Sequence, residues 1–187
     1  MYTDKTIAIT TYTGKHIDPM NPEAEMLDIE DIAHALPYLC RGNGHVRTFF
    51  SVGQHCINCA REAEARDLPP RMILACLIHD ASECYLSDVP RPVKIRMPEY
   101  RAQEERLLNL IYETFLGSPL TAEEKAVVKG IDDDMLWVDM TELLHQEMDR
   151  PKPELHIQPD FGWKPFGDVT REYLEIFRKY HDMLERK

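Results

Sequence analysis

The sequence lacks the long apolar segments that cross membranes. No run of about 18 apolar residues, the least that a spanning helix needs, occurs in the 187 residues. The N-terminal segment MYTDKTIAITTYTGK also lacks the basic stretch, apolar core and small-residue cleavage site of a secretory signal. The sequence therefore predicts a cytoplasmic protein with no membrane partner.

A disulfide framework and an excess of basic charge are also missing. Five cysteines are an odd number, which fits reduced thiols in a reducing compartment. Cys56 and Cys59 form one C-x-x-C without a second to complete a structural zinc site, so we expect core-facing thiols. The formal net charge of -11, from 33 acidic and 22 basic residues, argues against binding to duplex nucleic acid.

Strand signals are scarce, and helical periodicity dominates. The β-branched and aromatic residues of TIAITTYT, at 6–13, predict one short strand or hairpin arm. Apolar spacing of three and four residues, together with prolines and glycines, predicts helices over 29–36, 52–67, 71–86, 98–116, 122–146 and 168–186. Four prolines make 150–167 a loop.

Capping residues set several of these boundaries. Ser51 is a suitable N-cap for the second helix, and Thr121 with Glu124 forms a capping box for the fifth. Gly117 stops the fourth helix, and Asp168 is expected to cap the last. We predict one all-α domain, a helical bundle with a short N-terminal β strand or hairpin. Its core would span about 23–146 and its C-terminal helix about 168–186.

The segment LIHDASECYLSDVP, at 77–90, places His79 and Asp80 side by side. Residues 72–78 before them are apolar almost all round, so this helix should carry the pair into or beside the core. Buried ionisable groups need partners. A divalent cation suits both, because neutral imidazole and carboxylate bind it and the cation offsets the buried charge.

Neighbouring helices offer further ligands for such an ion. His55 lies in the preceding predicted helix, and Asp132 follows the apolar residues Val127, Val128 and Ile131. Two histidines and two aspartates leave open positions for water and a substrate oxygen, as catalytic metal sites require. Asp133 and Asp134 adjoin Asp132 and remain alternatives to it.

The ordered set His55, His79-Asp80 and Asp132 resembles the H…HD…D signature of the HD-domain metal-dependent phosphohydrolases. HDASECYLSDVPRPVK is similar to the segment after the HD pair in bacterial 5'-deoxynucleotidases, and SVGQHC to the segment around their first metal-binding histidine. The N-terminal segment ITTYTGKHIDPMNPEAEMLDIEDIAHAL, with RGNGH after it, resembles a group of uncharacterised, partly phage-borne HD hydrolases. Together these likenesses cover most of residues 6–142. It implies that 1–187 is a single HD phosphohydrolase domain.

The resemblance also implies roles for the central residues. His55, His79, Asp80 and Asp132 would bind one divalent metal ion, which could be manganese, cobalt, nickel, iron, zinc or magnesium. The catalytic residues would be Asp80 and Glu83. Asp80 holds the metal that activates water, and Glu83 orients or deprotonates the attacking water.

Three further residues would contact the substrate. Arg41 matches the arginine that orients the phosphate, and Asp88 would contact the sugar. The deoxynucleotidases carry an aromatic residue after that arginine, where this chain has Gly42. Arg91 replaces a smaller residue in the family's turn and would add positive charge for a larger or more highly phosphorylated substrate.

The activity implied by the resemblance is hydrolysis of a phosphate monoester by metal-activated water. The expected partner is a small phosphorylated substrate, a nucleoside or deoxynucleoside 5'-monophosphate. One alternative is hydrolysis of a pyrophosphate-linked signalling nucleotide, with Arg91 and Lys94 on its extra phosphates. Another is a non-catalytic module that binds a nucleotide or a partner. A homodimer through the aromatic face of the last helix is also predicted, unless that face belongs to the core.

Overall fold

A computed structural model describes residues 7–186, and these are mostly helical. Strands β1 (Ile9–Thr10) and β2 (His16–Ile17) form an antiparallel hairpin, with Ile9 opposite Ile17. Within the described residues the α-helices are α1 (Ile29–Ala35), α2 (Val52–Ala65), α3 (Pro70–Leu77), α4 (Glu83–Leu86), α5 (Arg91–Lys94), α6 (Pro98–Leu116), α7 (Ala122–Leu144) and α8 (Phe166–Glu185). Short 3-10 turns occur at Ala24–Met26, Leu36–Tyr38 and Arg41–Gly44. The all-α prediction with a small N-terminal hairpin is confirmed, although residue 6, where the predicted strand begins, lies outside the described residues.

The helix starts and stops follow the local chemistry of the sequence. At α2 the Ser51 hydroxyl accepts from the Gln54 N–H at 3.1 Å, and the Gln54 side chain accepts from the Ser51 N–H at 3.3 Å. Thr121 and Glu124 make the same reciprocal pair at the start of α7. Helix α6 ends at Gly117, whose φ of 79° is left-handed. These predicted boundaries are confirmed.

The single helix predicted over 71–86 is wrong. Helix α3 ends at Leu77, and tight turns with bonds between residues three apart carry the chain to α4. The Cys76 carbonyl, which would continue the helix by accepting from the Asp80 N–H, accepts from His79 Nδ1 at 2.8 Å. A side chain thus competes for a helical acceptor, and His79 and Asp80 lie in the turn that results.

Asp168 is also placed differently from the prediction. Helix α8 begins at Phe166, with Pro165 in the N-cap position. Asp168 therefore lies in the first turn, where its charge favours the helix N-terminus without capping it.

Helix α3 is the centre of the bundle and contacts α2, α6, α7 and α8. Its residues 74–77 are fully buried, as its apolar character all round predicts. The apolar face of α8 packs against it, and Tyr173 donates from its hydroxyl to the Leu77 carbonyl at 2.9 Å. The aromatic face of α8, which suggested a homodimer interface in the sequence, therefore belongs to the core.

A second face of α2 holds the proline-rich loop at 150–165. Gln54, Asn58 and Glu62 are buried polar residues spaced four apart along the helix. Gln54 Nε2 donates to the Gly162 carbonyl at 2.9 Å, and Asn58 Nδ2 donates to the Asp160 carbonyl at 3.4 Å. The Glu62 carboxylate accepts from the N–H groups of His156 and Ile157 at 3.0 and 3.1 Å. The loop backbone thus finds its partners on this helix.

No helix in residues 7–186 combines the length and apolar character that crossing a membrane requires.

Candidate metal centre

Two buried histidines turn their Nε2 atoms toward one cluster. The exposed fractions of His55 and His79 are 0% and 8%. His55 Nδ1 lies 2.8 Å from Asp139 Oδ2, and His79 Nδ1 lies 2.8 Å from the Cys76 carbonyl oxygen. Because these oxygens accept hydrogen bonds, each neutral ring carries its proton on Nδ1 and leaves the Nε2 lone pair free for a metal.

Carboxylate oxygens of Asp80 and Asp132 face these Nε2 atoms. His55 Nε2 is 3.4 Å from Asp132 Oδ1 and 3.9 Å from Asp80 Oδ2. His79 Nε2 is 3.3 Å from Asp80 Oδ2 and 3.6 Å from Asp132 Oδ1. Two ligand atoms bound at about 2.0–2.2 Å to one ion lie roughly 3.0–3.6 Å apart at angles of about 90–120°. The four atoms therefore have nearly the spacing of ligands around one ion.

An unpartnered atom in this cluster supports the same fit. His79 Nε2 is buried and has no hydrogen-bond partner within the described part of the chain. A buried polar atom without a partner is costly, and a divalent ion would supply one. The donors are imidazole and carboxylate, which suit several divalent metals.

Two thiols border the cluster. The possible ligand atoms of His55, Cys59 and His79 lie within 4.8 Å of one another, and so do those of Cys56, His79 and Asp80. Cys59 Sγ is 3.6 Å from His55 Nε2. The buried cluster of His55, Cys59, His79 and Asp80 could hold a metal ion.

The carboxylates favour positive charge in the cluster. Burial lowers the pKa of His79, but the nearby carboxylates of Asp80 and Asp132 outweigh burial and raise the pKa well above its usual value. Burial raises the pKa of Asp132, but the nearby rings of His55 and His79 outweigh burial and lower the pKa well below its usual value. A divalent ion would supply the same positive charge in place of protons.

Arg41 lies beside this cluster on the 3-10 turn before α2. Its Nη1 is 3.4 Å from Asp80 Oδ2 and 4.0 Å from Asp88 Oδ2, and its Nη2 is 3.3 Å from Asp139 Oδ2. Burial lowers the pKa of the guanidinium, but these carboxylates outweigh burial and raise it, so the group stays charged. Gly42, next to it, has a left-handed φ of 59°, which glycine adopts readily and an aromatic residue does not.

Glu83 is the first residue of α4 and is 4% exposed. Its Oε1 is 3.3 Å from Lys94 Nζ, and Lys94 also contacts Glu104 Oε1 at 2.5 Å. Glu83 Oε2 is buried without a hydrogen-bond partner in residues 7–186. Burial raises the pKa of Glu83, and the charges of Asp80 and Asp88 raise it further. One oxygen of the carboxylate is thus held by Lys94, while the other has no hydrogen-bond partner among the described residues.

The structure separates the three neighbouring aspartates. Asp132 contacts both histidines, whereas Asp133 pairs with Arg91 at 3.4 Å and Asp134 pairs with Arg66 at 3.0 Å. The Arg91 side chain is 59% exposed, so this residue lies at the surface and outside the histidine cluster. Asp88 lies at the edge of the cluster, where burial raises its pKa.

Sequence reasoning missed Asp139, although a signal for it exists. Asp139 is buried and contacts both His55 and Arg41. It follows Asp132 by seven residues on α7, which places both on one face of that helix. A buried carboxylate two turns after a ligand is the pattern that could have revealed it. Cys59 likewise follows His55 by one turn of α2.

A cavity of about 670 Å³ opens beside the cluster and reaches His79, Asp80 and Asp132. Helices α6 and α7 form its main walls. Its lining includes the apolar side chains Leu108, Tyr112, Leu120 and Val128, the basic side chains Lys94, Arg101, Lys125 and Lys129, and the acidic side chains Glu104 and Glu105.

The chain is similar in sequence to two bacterial proteins that are named only as uncharacterized. No protein-family model matches the chain. It is 30% identical over 140 residues to the uncharacterized protein YfdR of Escherichia coli, across 69% of this chain and 76% of YfdR. It is 34% identical over 127 residues to an uncharacterized protein of Rhodobacter capsulatus, across 64% of each chain.

Proposed function

We propose that the chain, which belongs to the same family as the uncharacterized Escherichia coli protein YfdR, is a metal-dependent hydrolase of phosphate monoesters. Its proposed substrate is a nucleoside or deoxynucleoside 5'-monophosphate. One observation carries the proposal. Two histidine Nε2 atoms and two carboxylate oxygens converge at 3.3–3.9 Å, with a buried arginine beside them. That arrangement combines a place for an ion with a charged group for a phosphate.

The four converging residues, His55, His79, Asp80 and Asp132, would hold the ion. When bound, a divalent metal lowers the pKa of water and offsets charge on the phosphoryl oxygens. The chain's own task is to fix the geometry. Asp139 and the Cys76 carbonyl orient the two rings, so that the ligands need little rearrangement.

Glu83 is the proposed group that positions water and takes its proton. Lys94 holds Oε1, so Oε2 is free to accept a hydrogen bond from the attacking water. Burial raises the pKa of the carboxyl group, which brings it closer to the working pH of a general base.

Arg41 is the proposed phosphate-binding group. Its guanidinium is held between Asp80 and Asp139, so its position beside the ion is fixed before substrate arrives. The planar fork suits two phosphoryl oxygens, and its permanent charge offsets theirs. Asp88, at 4.0 Å from Arg41, could accept a hydrogen bond from a sugar hydroxyl.

The adjoining cavity is large enough for a nucleotide, since small-molecule sites typically occupy about 300–1,000 Å³. Its volume is about 670 Å³. Leu108, Tyr112 and Val128 offer an apolar wall for a base, while Lys125 and Lys129 offer positive charge.

The basic side chains on the cavity also favour a second candidate, a nucleotide with further phosphates. Arg101, Lys125 and Lys129 lie on the cavity, where they could contact a pyrophosphate. Arg91, which the sequence suggested for this role, pairs with Asp133 at the surface. The monophosphate remains the first candidate because one phosphate accounts for the ion and Arg41 together.

The test is phosphate release by chelator-treated protein, supplied in turn with manganese, cobalt, magnesium and zinc. Substrates are ribo and deoxy 5'-monophosphates and pyrophosphate-linked nucleotides. We expect metal-dependent release from a monophosphate, abolished by Asp132→Ala and retained by the matched variant Asp133→Ala. Hydrolysis of the pyrophosphate-linked set alone would favour the second candidate. A protein that binds metal and nucleotide but hydrolyses neither set would be a binding module.

A further inference from the structure

Cys59 lies against the proposed ion-binding atoms. It follows His55 by one turn on α2, so both side chains lie on the same face of that helix. Its Sγ is 3.6 Å from His55 Nε2, and it shares a group with His55 and His79 whose ligand atoms lie within 4.8 Å of one another. Cys59 is 1% exposed, so its thiol is in contact with protein atoms and not with solvent.

The separation fits two ligands of one ion. Zinc binds sulfur at about 2.3 Å and imidazole nitrogen at about 2.0–2.1 Å, which places the two atoms roughly 3.6 Å apart at a tetrahedral angle. Cys59 Sγ and His55 Nε2 are 3.6 Å apart.

A hydrogen bond between the thiol and His55 would explain this one distance but not the rest of the cluster. His79 Nε2 is buried and without a hydrogen-bond partner in the described part of the chain. The S–H group has one proton, so a bond to His55 leaves His79 unpartnered. An ion that both nitrogens and the sulfur share would give each of these atoms a partner.

We propose that Cys59 contributes a sulfur ligand to the metal centre, and that this ligand selects a borderline-soft divalent ion, such as zinc or cobalt, over magnesium. As the metal–sulfur bond forms, the thiol proton is released to solvent and the thiolate binds. Magnesium prefers oxygen ligands and gains little from sulfur, whereas zinc binds thiolate well. The inference rests on the metal centre of the proposed function and not on its hydrolytic step.

Cys56 provides a matched control. It lies on the same helix and is also buried, and its possible ligand atom groups with those of His79 and Asp80. The His55 atom that Cys59 contacts is not in that group. A sulfur signal that depends on Cys59 and not on Cys56 therefore identifies the ligand.

The experiment titrates cobalt into the chelator-treated full chain and follows near-ultraviolet absorbance. We expect a thiolate-to-cobalt charge-transfer band in the wild type and in Cys56→Ser. Cys59→Ser should still bind cobalt through the other donors but without the band. Its preference for zinc over magnesium should fall by about tenfold or more, as when a group that supports a metal is lost.

A second measurement needs no variant. X-ray absorption of the zinc-loaded wild type should include one sulfur at about 2.3 Å. Bound cobalt without the band, a band that survives Cys59→Ser, or a zinc spectrum without sulfur would overturn the assignment. Failure to bind any of these metals would overturn both the sulfur ligand and the metal centre. A sulfur-bound metal without phosphate release would overturn only the hydrolase.

Discussion

Asp139 connects the histidine and arginine of the candidate site, and replacing it should weaken metal binding. One oxygen, Oδ2, is 2.8 Å from His55 Nδ1 and 3.3 Å from Arg41 Nη2. In Asp139→Asn the size is kept and the charge is lost. The amide oxygen could still accept from both His55 and Arg41, but without the negative charge the ring would be a weaker ligand.

The expected magnitude follows from these two contacts. Loss of a partner that orients a metal-binding histidine costs about 10–100-fold in metal affinity, and each decade corresponds to about 1.4 kcal/mol. Arg41 keeps Asp80 and Asp88 as partners, so its charge is not left alone in the protein. We therefore expect Asp139→Asn to lose about 1.4–2.8 kcal/mol of metal binding. Asp139→Ala removes the acceptor as well and should also destabilise the fold by about 1–3 kcal/mol, because the buried His55 N–H loses its partner.

The assay is calorimetric titration of zinc into chelator-treated protein, with denaturant unfolding measured on the same samples. Glu142→Gln is the matched control, since Glu142 is an exposed carboxylate three residues later on the same helix. It removes one negative charge without touching the cluster. A zinc affinity for Asp139→Asn within twofold of wild type, or an equal loss in Glu142→Gln, would refute the reasoning.

Three further predictions concern catalysis and stability. Glu83→Gln should lower kcat by about 10²–10⁴-fold while the zinc affinity stays nearly unchanged. Steady-state kinetics measures the first and calorimetry the second, and a kcat within tenfold of wild type would contradict the role of Glu83 as the base. Gly53→Ala should destabilise the protein, because a Cβ there would meet Pro37 backbone and ring atoms at 3.1–3.2 Å. Gly130→Ala, in open space on α7, should stabilise the protein by about 1 kcal/mol. Equal changes of the thermal unfolding temperature in the two glycine variants would contradict both expectations. Glu62→Ala should cost about 1–3 kcal/mol and expose the loop at 150–165 to protease, and an unchanged rate of cleavage would argue against its holding role.

Much of the fold could be predicted because its boundaries are set by nearby residues. The Ser51 and Thr121 caps and the Gly117 stop act within one helical turn, so a few neighbouring residues in the sequence are enough to predict them. The central place of α3 could be predicted as well, since a helix that is apolar all round has no face for solvent.

The hydrophobic pattern could not predict the break after Leu77. The spacing of apolar residues continues smoothly from α3 into α4, so it indicates one helix. The break depends on whether the Cys76 carbonyl accepts from a backbone N–H or from the His79 ring. These alternatives differ in tertiary packing around the ring, which no local window contains.

The holding contacts of the long loop were also beyond prediction. Gln54, Asn58 and Glu62 have helical spacing, which indicates a polar face of α2. Such a face is usually solvated, and nothing in the sequence says that the loop at 150–165 covers it. The partners are backbone groups about a hundred residues away along the chain, and backbone groups are the same in every loop.

The ligand geometry follows from the same break in α3. If the helix ran through residues 79 and 80, the Cys76 carbonyl would bond to the Asp80 N–H, and the His79 ring would lose the acceptor that fixes its proton on Nδ1. Ending the helix at Leu77 frees this carbonyl for the ring, and Nε2 then faces Asp80 and Asp132. The same Cys76 carbonyl that no longer accepts a helical hydrogen bond therefore orients the His79 ring. A variant that restores helix through this turn should weaken metal binding even with all four ligand residues intact.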